Sequence, residues 1–501
     1  MKSSLIRIIE LLFVLGFLVG LGWGQNASTG AIGGTTLDPS GAALVGAQIS
    51  LTNDATGAAR TGVSSPNGDY FFPLLSPGSY TVKASKTGFK ELVRPHVLVS
   101  VTETVRVDLH LEVGASSEVV TVSAEVPLLN TIDSAQGAVT DGLAIQSLPL
   151  ATRNYTQIIG LSPGIAADVT DASALGAGAG NQAAGPNGFS AHGGATNDNN
   201  YQINGAEVND LMGAGSLSGG VAVPNPDTIQ EFKVQTGQYD ASYGRNGGAN
   251  VDLITKTGTN TLHGTLFEFL RNDALDANEF FRKVNHQPRP AVKQNQFGGS
   301  VGGPLVKDKL FYFGSYQGTR QRNGLGGGLC ISQVVLPPFT NDRSAAALGA
   351  MFSGPTGGAI APDGSNISPQ ALALLNQKLP NGDYVIPTPQ TVTPVANPTL
   401  AQLSAEGTSS FSITCPYTEN QFLVNMDYQQ SEKSTLSGSY FFSNSSQITT
   451  LNTNQNLDGS AVPGFPANSE HEYRVVTISH RYAISPGLVN QATLGYHRVV
   501  G

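Results

Sequence analysis

The chain has 501 residues, with 27 lysines and arginines against 36 acidic residues for a formal net charge of −9, 13% charged residues, 60 glycines and 28 prolines. No long basic run offsets the acidic balance, which argues against nucleic acid as a partner, because that affinity comes from neutralising phosphates. The length allows about three domains at the usual ~100–200 residues each, and the composition fits an exported β protein.

Lys2 and Arg7 precede an apolar core from Leu11 to Leu21 (LLFVLGFLVGL), and Gly22-Trp23-Gly24 supplies a small-x-small cleavage pattern. Residues 1–24 are therefore expected to be a cleaved secretory signal peptide. A retained anchor would need ~20 apolar residues, and Glu10 interrupts the run. No later window is long and apolar enough for a spanning helix, so any further membrane span must consist of β-strands closed on themselves.

Residues 28–113 read as the first folded unit. Alternating apolar residues in Ala47–Leu51, Tyr70–Leu74, Tyr80–Ala84 and Val105–Leu111 are broken by Asp38-Pro39-Ser40-Gly41, Pro66-Asn67-Gly68-Asp69, Ser76-Pro77-Gly78 and Thr87-Gly88. Short strands between such turns predict a small β-sandwich. The phrases GAQISLTNDATG and SSPNGDYFFPLLSPGSYTVKASKTGF resemble the carboxypeptidase regulatory-like, transthyretin-like domain. That resemblance implies a binding or spacing module without zinc. His96 and His110 have no carboxylate at ligand spacing, and a zinc site needs three or four converging ligands.

Residues 114–125 are expected to form a linker. Within it Glu118, Val119, Val120, Thr121, Val122, Ser123 and Ala124 make a short β-prone run beside a flexible join. Such a run can add as a strand to a partner's sheet edge, with backbone hydrogen bonds supplying affinity. It resembles the energy-coupling segment of TonB-dependent transporters, which implies TonB as the partner. It equally reads as a continuation of the sandwich or the start of the next sheet, since any strand with a free edge offers the same bonds.

Residues 126–258 form the second unit. Leu143–Leu150 and Tyr155–Leu161 are short helical candidates, stopped by Pro149 and by Pro163-Gly164. The glycines at 176–180 lack the Lys-Ser/Thr of a phosphate-binding loop and read as a loop. LPLATRNYTQIIGLSPGI (148–165), GGATNDNNYQINGAEVND (193–210) and PDTIQEFKVQTGQYDASYGRNGGANVDLITKTGTNTLHG (226–264) resemble the plug domain of TonB-dependent receptors of the Oar-like branch. NQFGGSVGGPLVKDKLFYFGSYQGTR (295–320) resembles that family's opening barrel hairpin. At the plug loop Asn204-Gly205, Asn204 stands where the family usually carries an acid, and asparagine keeps the turn-forming hydrogen-bond geometry.

Residues 259–501 are expected to be part of a transmembrane barrel. Thr265–Arg271, Gln294–Gly302, Lys309–Gly318, Gln421–Gln429, Ser434–Ser443, Tyr473–Tyr482 and Leu488–Arg498 show strand-period alternation, near the ~9–11 residues of a spanning strand. The first mixes Glu268 with Leu266 and Leu270. Residues 321–418 carry no strand signal and read as a long extracellular loop. Cys330 and Cys415 lie in it, and in an exported segment they point first to a disulfide, then to free thiols, and last to a metal. Gly298-Gly299-Ser300-Val301-Gly302 matches a nucleophile elbow without the following helix that the elbow requires. No His pair has catalytic spacing.

The sequence thus predicts a mainly β protein: signal peptide, transthyretin-like sandwich, α+β plug, and the first part of an outer-membrane antiparallel barrel. The implied function is a TonB-dependent receptor importing an unidentified extracellular ligand across the outer membrane, with no catalytic residue, metal or cofactor. Outer-membrane lipid and TonB are the implied partners. A non-transporting adhesion or carbohydrate-binding surface protein is the alternative. Seven strands are too few to close a barrel like the 22-stranded transporters, so the chain reads as the front part of a longer one.

Overall fold

The computed structural model describes residues 28–115, 118–122, 136–148, 150, 153–167, 189–195, 198–209, 223–239, 243, 246–278, 280–284, 289, 292–323, 331–353, 359–395, 405–412, 416–449, 467–485 and 488–500. The expected signal peptide lies outside the described residues.

The N-terminal unit contains β1 (Gly30–Leu37), β2 (Gln48–Asn53), β3 (Ala59–Val63), β4 (Asp69–Leu75), β5 (Gly78–Ser85), β6 (Glu91–Val99), β7 (Thr104–Arg106), β8 (Leu109–His110) and β9 (Val119–Thr121). One sheet runs β3-β2-β5-β6-β9, and the other runs β4-β1-β7 with β8 also on β1. Ile32, Ile49, Leu51, Phe72, Val82, Val97 and Leu109 fill the space between them.

Three of these strands escape the alternation pattern. β1 is rich in glycine because its backbone is crowded: a Cβ on Gly34 would stand 2.0 Å from the Val107 carbonyl oxygen. β6 contains Pro95, which ordinarily argues against a strand interior. It is accommodated by a bulge, since the register steps from Tyr80↔Val97 to Val82↔Arg94 and His96 takes a φ of 58°. β3 is short and exposed on alternate residues. The single strand expected over Val105–Leu111 is two short ones, β7 and β8.

The second unit contains β10 (Gln136–Asp141), β11 (Ile165–Ala167), β12 (Phe189–Ala191), β13 (Asn200–Ile203), β14 (Ala206–Glu207), β15 (Ile229–Gly237) and β16 (Asn250–Thr255). Five of these form a central sheet in the order β10-β15-β16-β13-β14. A helix, Gly142–Ser147, starts where the Asp141 side chain accepts the Ala144 N–H. A 3-10 helix, Tyr155–Leu161, is capped the same way by Asn154.

The third unit contains β17 (His263–Asn272), β18 (Lys293–Val306), β19 (Leu310–Asn323), β20 (Ile331–Leu336), β21 (Thr391–Pro394), β22 (Ala405–Ser412), β23 (Tyr417–Ser431), β24 (Ser434–Thr449), β25 (Ala467–Ser485) and β26 (Leu488–Val500). Seven form one antiparallel meander, β17-β18-β19-β23-β24-β25-β26, at the positions where alternation predicts them. Between 321 and 418, where the sequence shows no strand signal, β19 continues to Asn323 and β20, β22 and β21 build a small sheet of their own. Helices Ala345–Phe352 and Pro369–Leu375 lie in the same stretch. The signal is missing because β22 reads AEGTSSFS, which has no apolar stripe. Arg343 organises this loop: it is buried, stacks 4.0 Å over Phe339 and 4.7 Å over Tyr384, and donates to the Thr340 carbonyl at 2.8 Å.

The large sheet has inverted polarity. Val424, Met426, Ile478 and Leu494 are 44–68% exposed on one face, while Gln421, Asn425, Ser443 and Thr477 are at most 4% exposed on the other. A water-soluble sheet would bury the first set, whereas an outward apolar band suits lipid. On β17 the outward residues Leu266, Glu268 and Leu270 are all exposed, so the mixed pattern persists in the structure, with one carboxylate on the otherwise apolar outer face. Short turns at 307–309 and 432–433 lie at the end that carries the sandwich, and the long connections lie at the other end.

If the outer face meets lipid, Met426→Arg and Ile478→Arg each destabilise the chain by up to ~2–4 kcal/mol near the bilayer midplane. Urea unfolding in lipid vesicles measures this. A cost within ~0.5 kcal/mol, as at an ordinary watery surface, contradicts a lipid-facing sheet.

Candidate functional site

The central sheet lies against the inner face of the large sheet. Phe232, Val234, Val251 and Leu253 share one buried cluster with Phe313, Leu423, Phe441, Tyr473 and Val475 of the surrounding strands. Polar contacts fix the rest of the seat. Arg153, at a φ of 54°, directs its guanidinium to Asp227 in an ion pair whose side chains are both 10% exposed. Arg153 Nε donates to Gln317 Oε1 of β19 at 3.1 Å. Its plane lies 4.1 Å over Phe267 and 4.5 Å over Phe269, both on β17. Asp227 also accepts from the Thr265 hydroxyl at 3.3 Å. Burial pulls the Arg153 pKa below its ordinary value, and Asp227 opposes the shift.

Asn204 and Gly205 form the turn between β13 and β14. Both carry positive φ, 52° and 78°, as a two-residue hairpin turn of this kind requires. Asn204 Nδ2 donates to Thr255 Oγ1 at 2.9 Å and to Ser439 Oγ of β24 at 3.2 Å. Its Oδ1 accepts the Thr255 N–H at 3.0 Å. An ionised acid here could accept but not donate, so asparagine suits a contact that needs both. Asn425 Nδ2 of β23 reaches Thr255 Oγ1 at 2.7 Å and the Lys256 carbonyl at 2.7 Å. Gln421 Nε2 donates to the Val223 carbonyl at 3.0 Å.

The other face of β15 meets the sandwich. Glu231, Lys233 and Gln235 alternate along the strand and are all buried against the turn between β6 and β7. The Glu231 carboxylate accepts the Val101 N–H, Lys233 Nζ reaches the Thr102 carbonyl at 3.5 Å, and Gln235 Nε2 reaches Thr102 Oγ1 at 3.4 Å. Asp252 on β16 accepts from Gln235 at 2.8 Å and from the Tyr243 hydroxyl at 2.9 Å. Burial pushes Glu231 up to about 7, with the Val101 N–H opposing, and it pushes Asp252 up to about 7 against its Gln235 and Tyr243 hydrogen bonds.

The candidate coupling segment is engaged with the sandwich. Val119–Thr121 is β9, which pairs in parallel with β6 in the register Glu91↔Val119, Leu92↔Val120 and Val93↔Thr121. Val120 and Val122 pack on the sandwich core, and Lys90 Nζ stands 3.2 Å from the Glu118 carboxylate. The Glu118 carbonyl accepts from Glu91 at 2.9 Å and the Val122 N–H donates to Val93 at 3.0 Å. By strand alternation the backbone groups of Val119 and Thr121 therefore point away from β6, to an edge that carries no further strand among the described residues. Ser123 and Ala124, and Cys330 and Cys415, lie outside the described residues. Ser300 sits in mid-strand in β18, opposite Thr265 and Ser315. Among the described residues no group of three His, Cys, Asp or Glu could hold a metal.

Sequence reasoning overlooked Arg153, Asp227, Glu231 and Asp252. Arg153 gives no signal, since its partners are 74 and 164 positions away. The polar residues at period two in β15 were the available clue: one face of a long strand was polar beside an equally clear apolar face.

A family model described as an outer membrane beta barrel domain matches residues 254–501. A carboxypeptidase regulatory-like domain matches residues 31–112. The chain is also homologous to the TonB-dependent transporter Oar of Myxococcus xanthus, with 26% identity over 301 residues, 55% of this chain and 26% of the relative. It thus spans about a quarter of the length of that curated relative. Among solved structures, the outer membrane transporter YddB from Escherichia coli aligns over 72% of this chain and 38% of its own, at 11% identity and a TM-score of 0.40. The ferric-catecholate import receptor Fiu from E. coli aligns over 74% and 50%, at 11% identity and a TM-score of 0.32. The two family-model matches agree with the sandwich and barrel classes expected from the sequence.

Arg153→Ala leaves Asp227 buried without its cation and is expected to cost about 3–5 kcal/mol, read as faster amide exchange in β15 and β16. Arg153→Lys retains charge but loses the planar stack and falls between the two. The folded chain binds the Glu231 and Asp252 protons more tightly than the unfolded one, whose values are 4.5 and 3.8. Their contribution is therefore complete below about pH 4 and is lost as the pH rises through about 7. Urea midpoints at pH 5 and pH 8 are expected to show that fall, and Glu231→Gln to flatten it.

Proposed function

We propose that this chain belongs to an outer-membrane TonB-dependent receptor that imports an unidentified extracellular ligand. Residues 1–24 serve as its cleaved signal peptide, 28–113 as a sandwich on the periplasmic side, 114–125 as the coupling linker, 126–258 as the plug, and 259–501 as barrel wall. The observation that carries this reading is the central sheet seated on the inner, polar face of a sheet whose outer face is apolar. Much of that seat consists of hydrogen bonds donated by Asn204, Gln421 and Asn425 and of one that Gln317 accepts from Arg153. Such bonds exchange readily with water, so the sheet can shift and return at modest cost.

In this reading an extracellular ligand binds on the side of the long connections, and TonB engages the linker from the side of the short turns. The open edge of β9 offers it the Val119 and Thr121 backbone groups for strand addition. The ligand class is set by groups on the outer loops, and homology to Oar does not specify it.

A photo-crosslinker at Val119 is expected to capture TonB in whole cells, and Thr121→Pro, which removes an outward N–H, to reduce the adduct several-fold. Deleting residues 118–124 is expected to abolish uptake. Surface binding that persists with no adduct and no uptake defect would mark the chain as an adhesin instead.

A further inference from the structure

A cavity of about 530 Å³ opens where sandwich, central sheet and barrel strands meet, at the end of the short turns. Its ionisable lining runs against the charge of the molecule. The whole chain is at −9, yet Arg60, Lys256, Lys433 and Arg481 face this space with only Asp427 and Glu432 beside them, apart from His263.

Two of the cations are fixed on one short segment of the sandwich. Arg60 Nη1 donates to the Pro73 carbonyl at 2.5 Å, and Arg481 Nη1, from β25, donates to Ser76 Oγ at 2.7 Å. Tyr80 donates its hydroxyl to the Ser76 carbonyl at 2.8 Å. Asp427 is reached through a hydroxyl: Ser437 donates to Asp427 at 2.6 Å and accepts from Arg481 Nη2 at 3.4 Å. Among the described residues none of the four cations is in an ion pair. Burial holds Arg60 below the ordinary arginine value, Tyr80 opposes the shift, and the Arg481 charge adds a smaller lowering.

Two guanidinium groups from different units that line one cavity, each with donors to spare, are suited to a bridging anion. We propose that this junction binds a small polyanion, a molecule carrying carboxylate or phosphate groups, between Arg60 of the sandwich and Arg481 of the barrel wall. The volume suits a ligand of metabolite size. Occupancy ties the sandwich to the barrel strands through the anion, and the inference stands whether or not the chain transports.

Calorimetric titration of the whole chain in detergent, at fixed ionic strength, tests it with inorganic pyrophosphate and citrate as probes. Saturable binding of at least one probe, weakened tenfold or more by Arg60→Gln combined with Arg481→Gln, is expected. Heats that never saturate, or that the double variant leaves unchanged, overturn the proposal as simple ionic screening. Should that variant lose its strand content by circular dichroism, arginine modification by phenylglyoxal in the unaltered chain decides. Protection of Arg60 and Arg481 by pyrophosphate supports the site, and equal modification with and without it overturns the site.

Discussion

The inverted polarity of the large sheet is the constraint on which the rest of the molecule depends. A strand wall with Val424, Met426 and Ile478 outward and Gln421, Asn425 and Thr477 inward cannot stand alone in any single solvent. Its outer face is costly in water, and its inner face is costly in lipid unless every polar group finds a partner. The second unit meets part of the second requirement: it takes up the amide groups of Gln421 and Asn425, while Gln421 Oε1, Asn425 Oδ1 and Thr477 Oγ1 stay buried without a hydrogen bond among the described residues. It brings its own polar groups, Asn204, Asp227 and the Val223 carbonyl, to the inner face, together with an apolar patch that joins Phe313, Leu423 and Phe441.

That division of labour explains the composition of the seat. An all-apolar contact would hold the inner sheet more firmly, because buried ion pairs seldom beat hydrophobic packing of the same volume. Arg153 and Asp227 gain specificity instead: the guanidinium is planar, stacks on Phe267 and Phe269 and reaches Gln317, a geometry that one register of the two sheets satisfies. A seat that is specific but not uniformly apolar is what an element needs if it must stay put at rest and move under load.

The sandwich is attached at both ends of the same face. Its β6–β7 turn packs on β15 through Glu231. Its β2–β3 turn is held by Asn260, whose N–H donates to Ala55 at 2.9 Å and whose amide reaches Thr56 and Asp308 at 2.8 and 2.7 Å. These contacts lodge it under the short turns, where it closes one side of the cationic cavity, and they place the open edge of β9 at the sandwich margin.

The sequence by itself determined the strands of the large sheet and the sandwich class, because both follow from period-two alternation and turn chemistry, which are local. It determined the Asn204-Gly205 turn for the same reason, as positive φ is a property of those two residues. It left open whether Glu118–Val122 is free or docked, since a strand's partner is not written in the strand. It missed β6, where a bulge absorbs Pro95, and β22, where backbone pairing works without an apolar stripe. Arg153 with Asp227, Glu231 with Val101, and Arg60 with Arg481 were decided by tertiary structure alone. Each pair joins residues 74 or more positions apart, and burial, which sets the worth of a charge, exists only once the units have packed together.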